Sequence, residues 1–201
     1  MKKNLFALAI ILGALLSPNL SNAQFGVELN YGMNGSYEPS YSGFTHFGGG
    51  VSYNFNETFG AKIDFASDKF SIKNDFGTET GTSNTRISLQ GVVNVSNLID
   101  DRSFYNNFQL LAHAGAGLSI LKSDINTTGT DHILNVIIGV NPQYKVAEGL
   151  YLGIDASFIA NISQHYNFDG TSTYVGDDVN SITGLMYNIS ATVSYKFGDN
   201  Y

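Results

Sequence analysis

The chain has no cysteine and no tryptophan, and only three of its 201 residues are proline. Without cysteine there is no disulfide scaffold, no thiolate metal site and no cysteine nucleophile. Basic residues are few: 10 Lys and Arg stand against 17 Asp and Glu, a net charge of -7. They form no run, so the electrostatic footprint of a nucleic-acid binder is missing. Charge of either sign is sparse, at 13% of residues, where soluble domains average about 25%. The Gly-x-Ser-x-Gly elbow of serine hydrolases is absent as well. In place of these the chain carries 12 Tyr, 14 Phe and 22 Gly. Low charge with many aromatics and glycines is unusual for a soluble enzyme.

The first residues read as an address. Met1-Lys2-Lys3-Asn4 is a short basic start, Leu5 to Leu16 is apolar apart from Gly13, and Ser21-Asn22-Ala23 supplies small residues for cleavage. This is the pattern of a secretory signal peptide over residues 1–23, cut between Ala23 and Gln24. The alternative, a membrane anchor, needs about 20 apolar residues and finds too few. No cysteine follows the run, which excludes a lipoprotein anchor. Loss of Lys2 and Lys3 moves the net charge from -7 to -9 over residues 24–201.

Beyond the leader the rhythm is two. Leu185, Tyr187, Ile189, Ala191, Val193, Tyr195 and Phe197 alternate with Met186, Asn188, Ser190, Thr192, Ser194 and Lys196. The same alternation runs from Phe25 to Met33, Phe47 to Phe55, Phe59 to Phe65, Arg86 to Val95, Phe108 to Ile120, Leu134 to Lys145 and Leu150 to Ser163. A period of two marks strands with unlike faces. Eight such segments of about 10 to 14 residues predict an all-β, eight-stranded antiparallel up-and-down transmembrane β-barrel. Asn56–Thr58 and Ala147–Gly149 are tight turns, while Ser36–Ser42, Ser71–Ser83, Lys122–Asp131 and Tyr166–Ser181 are longer polar loops on the opposite end. The stretch Asn97–Asn107, on the turn side, is also long.

Alternation alone also fits a soluble lipocalin-like barrel with its apolar face inside. Charge and size decide between the two. In these segments the apolar face has no Asp, Glu, Lys or Arg, whereas the other carries Glu28, Lys62, Asp64, Arg86, Lys145, Asp155 and Lys196. The apolar face is bulky, and the polar face is rich in Gly, Ser and Asn. A closed barrel has more room outside than inside, so the bulky face belongs against lipid. Phe25, Phe47, Phe55, Phe59, Phe108, Tyr144, Tyr195 and Phe197 fall near strand ends, as interfacial girdles do. Localisation in the outer membrane of a Gram-negative bacterium follows, with outer-membrane lipid as the first partner.

Several segments are similar to those of a known family. They are His46-Phe47-Gly48-Gly49-Gly50-Val51, Phe59-Gly60-Ala61-Lys62-Ile63-Asp64-Phe65, Arg86-Ile87-Ser88-Leu89-Gln90, Leu110 to Gly117, Gln164 to Gly170 and Leu185 to Ser190. In their order and spacing the chain resembles the N-terminal barrel domain of the outer membrane protein A family, in the form found in Bacteroidota. Val193, Tyr195 and Phe197 resemble the C-terminal signal read by the outer-membrane insertion machinery, the expected partner during biogenesis. Members of the family usually continue into a peptidoglycan-binding domain. The sequence ends at Tyr201, so a tether to the cell wall is not expected.

The lumen is the place to look for chemistry. Seven charges are expected inside, accompanied by Asn30, Gln90, His113, Asn141, Asn161 and Asn188. Buried charges must pair, because an unpaired one is costly. Glu28 and Lys196 are expected to be neighbours across the seam of the first and last strands. The ion pairs make either a plug or a breakable gate, and a barrel this small is normally filled. His46, His132 and His165 near the loop ends raise the question of a metal, but their spacing matches no ligand pattern. Asp177-Asp178, and Asp124 with Asp131, lack the spacing of a calcium loop. His165 with Asp169, or His132 with Asp131, would be a base and its orienting acid, yet no serine is assigned to either. The expectation is a non-enzymatic structural barrel without metal or cofactor. A narrow porin-like channel, and a surface-binding module acting through its loops, are the alternatives.

Overall fold

The computed structural model describes residues 24–73, 79–100, 102, 107–125, 129–173 and 180–197. The leader with Ala23, and the pair Asp177-Asp178, lie outside them. The eight strands are β1 (Gln24–Ser36), β2 (Tyr41–Asn54), β3 (Phe59–Lys73), β4 (Glu79–Asn94), β5 (Phe108–Ser123), β6 (Thr130–Ala147), β7 (Leu150–Gln164) and β8 (Ile182–Phe197). Each pairs antiparallel with the next, and β1 pairs with β8 to close the barrel. Closure leaves no strand edge unpaired, the condition for a sheet in hydrocarbon.

The outward face is the apolar one. Leu29, Val51, Ile63, Leu89, Leu118, Ile138, Ile154 and Val193 are all exposed around the wall. Phe55, Phe59, Phe108, Tyr144, Tyr195 and Phe197 ring its turn end, also exposed. Asn56 shapes one tight turn there, its Oδ1 accepting from the backbone N–H groups of Thr58 and Phe59 at 2.9 and 2.8 Å. Gly149, with φ of 71°, shapes another, in a region that favours glycine.

The strands differ from the expectation in length. They run 13 to 18 residues, continuing past the apolar belt at the loop end. Outward Lys69, Lys122 and His132 stand exposed there, beyond the charge-free zone. Alternation also breaks at shifts in register, one of which displaces an expected lumenal residue. A register shift between Asn161 and Gln164 places Ser163 at φ 58°. Ser163, expected on the lumenal face, is exposed, and Gln164 is buried in its stead. An extra residue in one strand turns the following side chain to the other face.

The long stretch on the turn side holds a short helix, α1 (Val95–Ile99). Asn94 caps it, accepting from the Asn97 N–H at 3.2 Å. Asn97 is buried and donates to Thr58 Oγ1 at 2.8 Å, which ties one face of α1 to the neighbouring turn. Ser96 Oγ accepts from the Leu110 N–H at 2.9 Å. On the free side Leu98 is 62% and Ile99 81% exposed. The aromatic ring lies at the same end, and no charge falls within the helix.

Two expected outcomes follow from this arrangement. Leu89→Arg, at mid-belt, should destabilise the barrel by about 2–4 kcal/mol in denaturant unfolding from lipid vesicles; an unchanged midpoint would contradict a lipid-facing Leu89. The protein has no tryptophan, so Ile99→Trp is a single-site probe. Its emission should be blue-shifted and quenched by lipids brominated high on the acyl chain. Emission typical of water, insensitive to brominated lipid, would place α1 away from the membrane boundary.

Candidate functional site: the barrel lumen

The inward face carries three successive zones. At the turn end is an open vestibule, lined by Asn141, Lys145 and Lys196 among others. Its floor is a polar layer. Lys62 Nζ lies 3.9 Å from Glu28 Oε1 and 4.0 Å from Asp155 Oδ2, bridging two carboxylates. Glu28 Oε2 also accepts from Ser194 Oγ at 2.9 Å, Asn141 Nδ2 at 3.2 Å and Gln143 Nε2 at 3.3 Å. His113 spans the same layer, with Nδ1 2.6 Å from Gln90 Oε1 and Nε2 2.9 Å from Asp155 Oδ2. This reach from β5 to β7 passes over Gly139 of β6. A Cβ there would come within 2.5 Å of the imidazole, so glycine provides the gap.

Farther in, Asp68 is the hub. His46 Nδ1 lies 2.7 Å from Asp68 Oδ1, and Arg86 Nη1 3.7 Å from Asp68 Oδ2. His46 Nε2 lies 2.9 Å from Asn30 Oδ1. Asn188 adjoins this group, its amide set to contact Asp68, His46 and Arg86. Asp64 is buried beside Lys62 and Arg86 around a residual void of about 10 Å³. An amide chain lies nearby: Asn135 Nδ2 donates to Asn161 Oδ1 at 2.5 Å, and Asn161 Nδ2 to Gln164 Oε1 at 2.8 Å. Hydrogen-bonded chains of this kind satisfy polar groups that burial would otherwise leave costly.

The third zone, at the loop end, is apolar. Phe70, Ile137, Ile159, Met186 and Phe168 are fully buried and form one cluster, with Tyr41 packed against it. Phe168 comes from the β7–β8 connection, its ring centroid 4.7 Å from that of Phe70. The connection is tied down by Thr82 Oγ1 donating to Phe168 O at 3.2 Å and Ser123 Oγ to Gly170 O at 2.7 Å.

All the charged and polar lumenal candidates therefore lie inward, but their partners differ from the expected ones. Glu28 faces Ser194 across the seam, and its cation is Lys62. Lys196 reaches Gln109 Oε1 at 2.8 Å and lies 4.2 Å over the Tyr151 ring. The three loop-end histidines do not converge: His46 is in the lumen, His132 faces outward and His165 lies against Asp131. Neither of the expected His–Asp pairs forms among the described residues. His165 Nδ1 is 3.0 Å from Asp131 Oδ1, while Asp169 accepts from Thr171. Asp68 and the apolar cluster escaped the sequence reading. Continuing the even-numbered lumenal series past Asp64 leads directly to Ala66, Asp68 and Phe70.

Removing the hub has a defined cost. Asp68→Ala would strand His46 and Arg86 in the lumen, and breaking a buried pair costs about 3–5 kcal/mol. Unfolding of the variant in lipid vesicles measures this; wild-type stability would show that the layer does not hold the barrel together.

No family model and no curated protein matches the chain. Solved structures do. Neisserial surface protein A shares 13% identity over 87% of this chain and 97% of that one, with a TM-score of 0.58. A major outer membrane protein from Thermus thermophilus shares 14% over 87% and 99%, with a TM-score of 0.56. Ail, the attachment invasion locus protein of Yersinia pestis, solved with the heparin analogue sucrose octasulfate, shares 14% over 88% and 99%, with a TM-score of 0.50. At such identities the likeness is one of fold. Joined to the charge-free outer belt, it makes this chain a small integral β-barrel of the Gram-negative outer membrane.

Proposed function

We propose that this protein is a closed structural barrel of the outer membrane protein A type, in its Bacteroidota form, which supports envelope integrity and catalyses no reaction. Residues 1–23 act as a cleaved leader, and Val193, Tyr195 and Phe197, at the exposed end of β8, serve the insertion machinery. One observation carries the reading: the lumen is blocked twice, by the Asp68–His46–Arg86 layer and by the Phe70–Phe168 stopper above it. Ions face both a charged constriction and an apolar one.

Two features weigh against the alternatives. A channel needs a water path, and among the described residues the void beside the Asp68 layer has a volume of about 10 Å³. Attachment is what the Yersinia protein's name describes for that protein; here, recognition through the loops would draw on the β7–β8 connection. Here its described part is committed to the rim: Tyr166 bridges Ser172, and Phe168 is buried.

Planar-bilayer recording tests the reading. Purified protein should be silent at all applied voltages. Phe168→Gly with Met186→Gly should stay silent, because the Asp68 layer remains beneath. Steady single-channel steps from the wild-type protein would sink the closed-barrel assignment in favour of a pore.

A further inference from the structure

The turn-end half of the lumen is not filled. Its vestibule has a volume of about 480 Å³, within the range of small-ligand pockets. It is blind, with the Glu28–Lys62–His113 layer as its floor. Access is from the turn side, which is the periplasmic side in barrels with short periplasmic turns.

Two ammonium groups share this space. Lys145 on β6 stands opposite Tyr151 on β7, and Tyr151 stands opposite Ser194 on β8. Lys196 is the next lumenal position after Ser194, so both lysines reach the vestibule from one side at nearly one height. Among the described residues neither has a carboxylate within 4.0 Å. The contacts of Lys196 with Gln109 Oε1 and the Tyr151 ring hold the ammonium without neutralising it.

Of the lumenal carboxylates Glu28, Asp64, Asp68 and Asp155, three are already paired elsewhere. Glu28 and Asp155 share Lys62, Asp155 also meets His113, and Asp68 meets His46 and Arg86. Asp64 lines the small void with Lys62 and Arg86. Glu57, on the turn between β2 and β3, also lines the vestibule, so Lys62, Lys145 and Lys196 against Glu28 and Glu57 leave a net positive charge in a cavity of ligand size. Gln143 gives a further sign. It is buried in the vestibule wall, its amide N–H donating to Glu28 and Ser194, and its Oε1 has no partner among the described residues. Leu111 and the Tyr151 ring add apolar surface.

We propose that the periplasmic vestibule binds a small organic anion, a phosphate or carboxylate joined to an apolar or aromatic body, with Lys145 and Lys196 as its charge ligands. Gln143 Oε1 accepts from a hydroxyl of that ligand where one is present. Charge-assisted hydrogen bonds in a low-dielectric recess supply the affinity. The proposal rests on the sealed lumen only for its side of access.

Calorimetric titration of the full chain, in nanodiscs of zwitterionic lipid, with phenyl phosphate is the test. Saturable binding is expected, with phenol at least about tenfold weaker. Lys145→Gln and Lys196→Gln should each weaken phenyl phosphate about tenfold. Lys145→Arg should retain it, and so should Lys122→Gln at the exposed loop end. Nanodiscs containing phosphatidylglycerol separate the sources of the anion: competition points to a lipid headgroup, and unchanged binding to a soluble anion. The proposal is overturned if phenyl phosphate gives no saturable heat, if phenol binds equally well, or if binding survives in a Lys145→Gln/Lys196→Gln variant with native heat-modifiable gel mobility. Bilayer recordings judge the seal independently of this result.

Discussion

Closure of β1 on β8 is the constraint from which the rest follows. In hydrocarbon every backbone N–H and C=O must find a partner within the protein, and only a continuous ring of strands provides one everywhere. Once the ring is shut, each strand must send alternate residues to two unlike solvents. The outer set meets lipid and carries no charge within the belt. The inner set enters a space so narrow that each side chain must fit its neighbours across the axis. The low overall charge, 13%, follows from giving up half of every strand to lipid.

Narrowness also explains the character of the interior. In a wide barrel a lumenal carboxylate is solvated. Here Asp68 is 1% exposed and Asn161 fully buried, so polarity inside requires explicit partners. Lys62 serves two carboxylates because Glu28 on β1 and Asp155 on β7 converge on β3 across the axis. Glycine is part of the same solution. Gly139 leaves the opening through which His113 reaches Asp155. An alanine there would gain strand propensity and lose that bond.

The architecture was legible in the sequence wherever the two faces contrast. From Leu185 to Phe197, or Leu150 to Ile162, each outward residue is apolar or aromatic and most lumenal ones are small or polar. Legibility failed where the contrast does. Past the belt the outward face of β3 turns polar at Lys69 while its inward face turns apolar at Phe70, so the contrast is lost and Ser71–Ser83 reads as a loop although much of it is paired strand. Asp68 and Phe70 fell just outside the recognised segment for that reason. The bulge at Ser163 left no trace, since Ser163 and Gln164 are polar alike. Partner choice was hidden for another reason. Alternation tells that Glu28 and Lys196 point inward, but strand stagger decides which residues share a height, and stagger belongs to the closed ring.

The filling of the lumen is unequal along its axis, and the inequality has a physical logic. At the loop end Phe70, Ile137, Ile159, Met186 and Phe168 pack together, and at mid-lumen Glu28, Asp68 and Asp155 are matched with cations or imidazoles. The turn end alone combines space with surplus charge. A barrel serving only to fill membrane would gain stability from larger or paired side chains at Lys145 and Lys196, as it has at Arg86 and Asp68. Unmatched lysines are tolerable there because the vestibule is open to water, so they cost less than they would a few ångströms deeper. The same openness lets a solute reach them. Stability is therefore concentrated in the two seals, and the vestibule, which the barrel does not need in order to close, is the part of the lumen left available for binding.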